Sequence, residues 1–326
     1  MTTSSSTTQS QTDLRPARLP ALRRVDPGHL PPFRLTARDV SLVRAVYEYR
    51  ALTTVQVERL FFSPPAGRPT GDSPAAAVKI NPRCQHRLKM LYHHGYLYRD
   101  EQPTKLSEGR RPLVYFLDAG GAARLGEEMG VAIDWDPAGN NVSWPFLDHL
   151  LLTNDFRIAV TVAARAHHVT LKTWIDDKVL KSQHQKDYVI ITGTGGGKHR
   201  IAVVPDGYFV LDTDKRVFHH FLEIDRGTVT GSYRKDGRRD WSHKVRGFNE
   251  YVASGKYEGR YNTTKVRILT VTTGQKRLEH LKQITEAVGG GSRFWFTTFD
   301  AVTPHTILTE PIWSVAGSAE RRPLLI

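Results

Sequence analysis

The chain has 326 residues, with 46 Lys and Arg against 33 Asp and Glu and a formal net charge of +13. This length suggests two domains, and the basic excess favours a polyanionic partner, most simply double-stranded DNA. No apolar run approaches the roughly 20 residues of a membrane span, and the N-terminus lacks a signal-type apolar core. The single cysteine, Cys84, fits a reducing compartment. We therefore expect a cytoplasmic protein with no membrane partner.

Composition and turn residues divide the chain into five segments. The first is rich in Ser, Thr and Gln, then in Arg and Pro, and is predicted to be disordered. The predicted segments are a disordered tail (1–32), a DNA-binding domain (33–130), a linker (131–145), a second domain (146–315) and a C-terminal tail (316–326).

Three helix starts can be read near the N-terminus. Thr36 with Asp39, and Thr53 with Gln56, have the spacing of capping boxes, and Asn81 followed by proline is typical of an N-cap. The irregular stretch 63–80 is predicted to be a loop.

The third helix, about 82–94, has a polar face, and strands 96–99 and 113–117 follow it. Three helices and a hairpin in this order predict a winged helix-turn-helix, whose third helix enters the major groove. A solvated helix face in a wing used for protein contacts remains the alternative. The polar residues of the helix are Arg83, His86, Arg87, Lys89 and His93, and those of the wing that would touch phosphates are Lys105, Arg110 and Arg111.

Two segments rich in β-branched and aromatic residues, 205–211 and 217–225, flank a polar turn and predict a hairpin. If the turn centres near Thr213 and Asp214, Asp206 lies across from Phe221, with Glu223 one diagonal step away.

Asp206, Glu223 and Asp225 would then crowd one end of the hairpin. Carboxylates so placed repel one another unless a proton or a cation intervenes. Oxygen ligands at this spacing suit Mg²⁺ or Mn²⁺, with Asp206 and Glu223 as the metal ligands. The alternative is that polar residues simply collect at the hairpin end, although Glu223 interrupts an otherwise apolar strand.

Pro205-Asp206 at the start of one strand and Glu223-Ile224-Asp225 at the end of the next resemble the PD-(D/E)xK nuclease-like superfamily. The resemblance implies that Asp206, Glu223, Asp225 and a lysine form a catalytic set. The usual pattern has lysine where this chain has Asp225. Lys244, on the predicted helix 240–253, would supply the amine instead.

A long helix, about 144–168, carries three polar residues that could assist the carboxylates: His149, Asn154 and Asp155. The order of helix, strand, hairpin, helix and strand matches an αβββαβ core. The predicted fold class is therefore α+β, an N-terminal winged helix-turn-helix followed by a restriction-endonuclease-like domain.

A basic loop follows the hairpin and lies where a DNA backbone would need it, although it could equally be an ordinary solvated loop. Its candidate DNA contacts are Arg234, Lys235, Arg238 and Arg239.

The glycine-rich stretch 192–199 lacks the spacing of a phosphate-binding P-loop and is predicted to be a flexible loop. We predict no nucleotide or organic cofactor.

The predicted winged helix followed by Pro205-Asp206 and Glu223-Ile224-Asp225-Arg226-Gly227-Thr228 is similar to the replication-relaxation family, as are the Lys244–Tyr251 helix and the closing strand Phe294–Thr298. This resemblance implies a DNA-binding protein of a plasmid or other mobile element, involved in replication or its control. Two hypotheses remain: a metal-dependent DNA endonuclease, and a non-catalytic regulator of replication or transcription. Other replication proteins are further expected partners, and a homodimer would suit a palindromic site.

Overall fold

The computed structural model describes residues 23–63, 79–103, 111–182, 184, 186–192, 196–227 and 240–325. Part of the predicted N-terminal tail (1–22) and six predicted DNA contacts lie outside these ranges: Lys105, Arg110, Arg234, Lys235, Arg238 and Arg239. Within them the protein is a mixed α+β structure. None of the described helices combines the length and apolar character that a membrane crossing requires.

The helices are α1 (Ala37–Tyr49), α2 (Thr54–Phe61), α3 (Pro82–His93), α4 (Ala119–Met129), α5 (Trp144–Ala166), α6 (Asp177–Lys181), α7 (Trp241–Ala253), α8 (Lys256–Tyr261) and α9 (Gln275–Ala287). The strands are β1 (Leu52–Thr53), β2 (Leu97–Asp100), β3 (Val114–Leu117), β4 (Thr170–Asp176), β5 (Asp187–Thr192), β6 (Lys198–Val203), β7 (Gly207–Asp212), β8 (Val217–Asp225), β9 (Arg267–Thr272), β10 (Phe294–Thr298), β11 (Trp313–Val315) and β12 (Arg321–Arg322).

The N-terminal unit packs α1, α2 and α3 against a three-stranded antiparallel sheet of order β1-β3-β2. Both predicted capping boxes are present, because each threonine side chain accepts from the backbone N–H three residues on, and each threonine backbone N–H donates to the side chain of that same residue, Asp39 or Gln56. Asn81 caps α3 as predicted. Arg24, inside the predicted tail, donates to the carbonyls of Tyr92 and Leu97 and holds this part of the chain against the unit.

The larger sheet has the order β12-β11-β10-β9-β8-β7-β4. Strands β8, β9 and β10 are parallel, whereas β4, β7 and β8 are antiparallel neighbours. Alternate residues of β8 enter different cores, since Phe221 packs with α7 and α8 while Leu222 packs with α5. The sheet is therefore covered on both faces, and polar groups on its strands are shielded from water.

The β7–β8 register corrects the predicted one. Gly207 pairs with Leu222 and Asp212 with Val217, so the loop is Thr213 to Arg216 and its centre lies one residue later than expected. Asp214 has a left-handed φ of 63°, which fits a turn position. Asp206 directly precedes the Gly207–Leu222 pair, and its backbone N–H donates to Leu222 O at 2.9 Å, so it meets β8 next to Glu223.

Several elements were absent from the sequence prediction. The segment before β7 forms the β5–β6 hairpin, and the two ends of the glycine-rich stretch 192–199 belong to its strands. Residues 193–195 of that stretch lie outside the described residues. The predicted C-terminal tail instead contains β12, which pairs with β11, and Leu324 is fully buried. These additions extend the expected helix–strand–hairpin–helix–strand order without breaking it.

Helix α5 belongs to both parts of the molecule. Its Ile158 lies in the core of the N-terminal unit, and its Phe156 lies in the core beneath the large sheet. The Asn154 amide donates to the backbone carbonyls of Tyr49 at 3.1 Å and Ala51 at 2.7 Å. The predicted linker 131–145 thus leads into a helix that joins the two parts by buried contacts.

Candidate active site

Asp206 directly precedes β7, and two hydrogen bonds hold its side chain in place. Its Oδ2 accepts from the backbone N–H of Ile224 at 2.8 Å, and its Oδ1 lies 3.1 Å from Nε2 of His149 on α5. Burial acts to raise the pKa of Asp206, but the His149 hydrogen bond and the charge of Lys244 outweigh it and lower that pKa. Asp206 is therefore ionised at neutral pH.

Glu223 and Lys244 form an ion pair across the space between β8 and α7. Glu223 is 2% exposed, whereas the Lys244 side chain is 42% exposed, so the lysine reaches from solvent to a buried carboxylate. Lys244 is placed there because Asp240 caps the start of α7 and the helix buries Val245 and Phe248 in the core that also contains Phe221 of β8. The predicted lysine thus meets the predicted glutamate.

Protonation at this pair is shifted in a direction that suits acid–base chemistry. Burial raises the pKa of Glu223 to about 7, against the opposing charge of Lys244. For Lys244, burial acts to lower the pKa, but the charges of Glu223 and Asp206 outweigh it and raise the pKa above its ordinary value. Lys244 therefore remains a cation, and Glu223 titrates near neutrality.

One oxygen of Glu223 remains unpaired. Its Oε1 is buried and has no hydrogen-bond partner in the described part of the chain, and the same holds for the hydroxyl of Thr270, the residue paired with Glu223 across β8 and β9. Buried polar atoms without partners commonly mark a water or an ion. Glu223 Oε1 and the ionised carboxylate of Asp206 are therefore oxygen atoms of the kind that hard cations prefer as ligands.

The donor set fits a Mg²⁺- or Mn²⁺-type ion that keeps several waters. Such ions are usually held by one or two carboxylates together with substrate phosphates, not by a closed protein cage. In the described ranges, no group of three or more His, Cys, Asp or Glu is arranged so that it could hold a metal ion by itself. Asp206 and Glu223 are the residues that would hold the ion.

Asp225 is directed to another role by its partners. Its carboxylate accepts two hydrogen bonds from Arg277 of α9, each 2.9 Å, and one from the Thr272 hydroxyl at 2.7 Å. Burial acts to raise the pKa of Asp225, but the Arg277 bonds outweigh it and lower that pKa. The structure therefore brings Asp206, Glu223 and Lys244 together and gives Asp225 a separate bidentate partner.

A family model for replication-relaxation proteins matches residues 43–266, about two thirds of the chain, including Asp206, Glu223 and Lys244. The chain belongs to the replication-relaxation family. The matched range also includes most of the N-terminal unit, as the sequence resemblance predicted.

Other comparisons add little to the family assignment. The comparison with curated proteins yields no match. Among solved structures, the chain is similar to restriction endonuclease FokI bound to DNA, at 11% identity and a TM-score of 0.24. The match covers 81% of this chain but 43% of that one, so this chain corresponds to less than half of the FokI structure. At that TM-score the folds differ too much for an argument from one to the other.

Five predicted DNA-contacting residues of this replication-relaxation protein are described, and they differ in availability. Arg83 and His86 are exposed on α3. Arg87 instead pairs with Asp39 at the start of α1, and Lys89 is half-buried. The last of the five, Arg111, lies 3.4 Å from Asp148 of α5.

His93, predicted on the polar face of α3, is buried, and its ring packs 5.0 Å from that of Tyr92. The final turn of α3 is therefore buried on its polar face as well as on its apolar face, and the helical periodicity of the sequence did not predict this burial. Exposed Arg83 and His86 therefore define the outer face of α3 better than the full predicted set.

Among the three polar residues predicted on α5, only His149 contacts a site carboxylate. Asn154 joins the backbone near β1, and Asp155 accepts from Gln56 at 3.1 Å. Sequence reasoning missed Arg277, which lies 52 residues from Asp225. It placed Arg226 in the family motif but did not predict that Arg226 donates to Pro145 O at 2.6 Å and to Asp148 at 3.2 Å. Neither carries a local pattern that would pair it across the fold.

Proposed function

We propose that this replication-relaxation protein binds double-stranded DNA of a mobile element through a winged-helix N-terminal unit and nicks it at the Asp206–Glu223–Lys244 cluster. The observation that carries the proposal is the position of Lys244, whose ammonium contacts Glu223 and lies close enough to Asp206 for the two charges to interact. The strand order around this cluster is compatible with a restriction-endonuclease-like domain.

A bound divalent cation would supply Lewis-acid activation of water and of the scissile phosphate. Lys244 would stabilise negative charge that develops on the phosphate, because its raised pKa keeps it protonated. Glu223, whose buried Oε1 has no partner in the described residues, would hold the cation together with Asp206. His149 and the Ile224 N–H would keep Asp206 fixed and ionised.

A non-catalytic regulator of replication or transcription is the second candidate function. One observation favours it specifically: the acidic charges at this end of the sheet already have protein partners, Glu223 with Lys244, Asp206 with His149, and Asp225 with Arg277. Internal neutralisation of this kind would let the domain serve as a scaffold while the N-terminal unit binds DNA.

Incubation of supercoiled plasmid with the protein and Mn²⁺ or Mg²⁺ separates the two functions. We expect nicking by the wild type, abolished by chelator and reduced roughly 100-fold or more in Glu223→Ala and Lys244→Met, because each removes a charge on which the transition state depends. A gel-shift assay run in parallel reports DNA binding.

Asp214→Asn is the matched control, since it removes a carboxylate from the turn of the same hairpin, and asparagine tolerates the left-handed φ found there. It should nick at the wild-type rate. DNA that is bound but left intact by the wild type would instead support the regulator, and loss of nicking in Asp214→Asn alongside Glu223→Ala would show that the assay reports folding.

A further inference from the structure

A cavity of about 810 Å³ opens at the amino ends of β8, β9 and β10. The candidate active site lies near the other end of β8, because Glu223 is six residues beyond Val217, which corresponds to about 20 Å along a strand. The cavity is therefore a separate feature of the same sheet.

The lining of this cavity is strongly basic. Arg216 and Lys265 are exposed at the wall, Arg267 and Arg293 are half-buried, and no Asp or Glu contributes to the described lining. None of these four cations has an ion-pair partner in the described part of the chain. Unlike the active-site carboxylates, these charges are not paired with acidic groups of the described residues.

Arg267 shows how firmly one of the cations is held. Its guanidinium lies over the rings of Phe218 and Trp295, 5.0 and 4.5 Å from their centroids, and donates to the Leu324 carbonyl at 2.5 Å. Burial lowers its pKa, and the charge of Arg322 lowers it further. A partly desolvated cation without a counter-ion is costly, so an anion in the cavity would stabilise this arrangement.

Part of the cavity lining is formed by backbone. Gly289 and Gly291 contribute no side chain there, and a Cβ on Gly291 would meet nothing within 4 Å. A ligand can thus approach the main chain closely at this point. An added side chain at Gly291 would also enter open space without displacing the core.

We propose that this cavity binds the phosphate groups of a nucleotide or of a nucleic-acid strand. Guanidinium groups match phosphate oxygens in paired hydrogen bonds, and several fixed cations around one cavity favour a ligand with more than one phosphate. The volume lies within the range of small-molecule sites. The earlier expectation of no nucleotide cofactor rested on the P-loop spacing of 192–199, and this cavity uses none of those residues.

Calorimetric titration of the full chain in chelator tests the proposal independently of any cleavage. The probes are ATP and, separately, a ten-nucleotide single strand. We expect Arg216→Gln/Lys265→Gln to weaken binding of at least one probe by about tenfold or more, and the charge-conserving Arg216→Lys/Lys265→Arg to retain most of it. An effect on ATP identifies a nucleotide site, and an effect confined to the oligonucleotide identifies a strand path.

A second pair of variants changes the cavity at Gly291, in the part of the lining that is formed by backbone. Gly291→Asp should weaken binding of the same probe more than Gly291→Asn does, because the two side chains are of similar size and only aspartate adds a negative charge. Lys276→Gln removes an exposed cation of α9 outside the cavity and should leave binding unchanged. Absence of binding by both probes, or equal affinity for wild type, Arg216→Gln/Lys265→Gln and Gly291→Asp, would overturn the proposal.

Discussion

Glu223 lies on a central strand with one carboxylate oxygen bound to Lys244 and the other without a partner in the described residues. Its sequence context, an acidic residue between Leu222 and Ile224, predicted that the charge would have a partner. Its protonation could not be predicted, because that depends on the burial supplied by α7 and on the distant residues Lys244 and Asp206. The same holds for Asp225, whose pairing with Arg277 no local pattern announced.

The raised pKa of Glu223 predicts a specific pH dependence of stability. Because the folded-state pKa of about 7 exceeds the ordinary 4.5, the associated stabilisation is complete below pH 4.5 and is lost as pH rises through 7. Glu223→Gln cannot titrate. The free energy of unfolding of wild type relative to Glu223→Gln should therefore fall by on the order of 1–3 kcal/mol between pH 5 and 8.

Denaturant titrations of both proteins across that range measure the difference directly, and groups that titrate equally in both cancel. A difference that stays constant with pH would mean that Lys244 fully offsets the burial of Glu223.

Elements with strong local signals were predicted well, and those without them were missed. The capping boxes of α1 and α2 lie within four residues of sequence, so both starts were readable. The β5–β6 hairpin was not, because β6 begins Lys198-His199-Arg200, three exposed residues that look like loop. The predicted centre of the β7–β8 loop was one residue too early, because the segment from Asp212 to Arg216 has several polar residues at which a turn could be centred.

Helix α5 makes a prediction at the same scale, since it joins both parts of the molecule. Asn154→Ala should destabilise the protein by about 1–3 kcal/mol, because the buried carbonyls of Tyr49 and Ala51 lose their donor. Asn249→Ala in α7 is the matched control, because it removes a single exposed hydrogen bond to Gly289 and gains the same helix propensity.

Thermal or denaturant unfolding of the two variants provides the comparison. Equal stability of Asn154→Ala and Asn249→Ala would contradict the role assigned to α5 as a buried connection.

At the scale of the whole molecule, the charged residues form separate groups in different parts of the fold. Exposed Arg83 and His86 lie on α3, four cations line the cavity at one end of the large sheet, and the carboxylate–lysine cluster lies toward the other end. Charge counting predicted a polyanionic partner, but only the folded topology separates these regions. The account depends most on whether the carboxylate pair is open to a cation.

Calorimetric titration of Mn²⁺ into the DNA-free protein tests that point most directly. We predict one Mn²⁺ per chain in the wild type, lost in Glu223→Gln and in Asp206→Asn, and retained in Asp214→Asn, because the first two remove the proposed ligands and the third does not. Binding that persists in Glu223→Gln and Asp206→Asn, or no binding by the wild type, would contradict a metal site and leave a cluster neutralised by Lys244 and His149 alone.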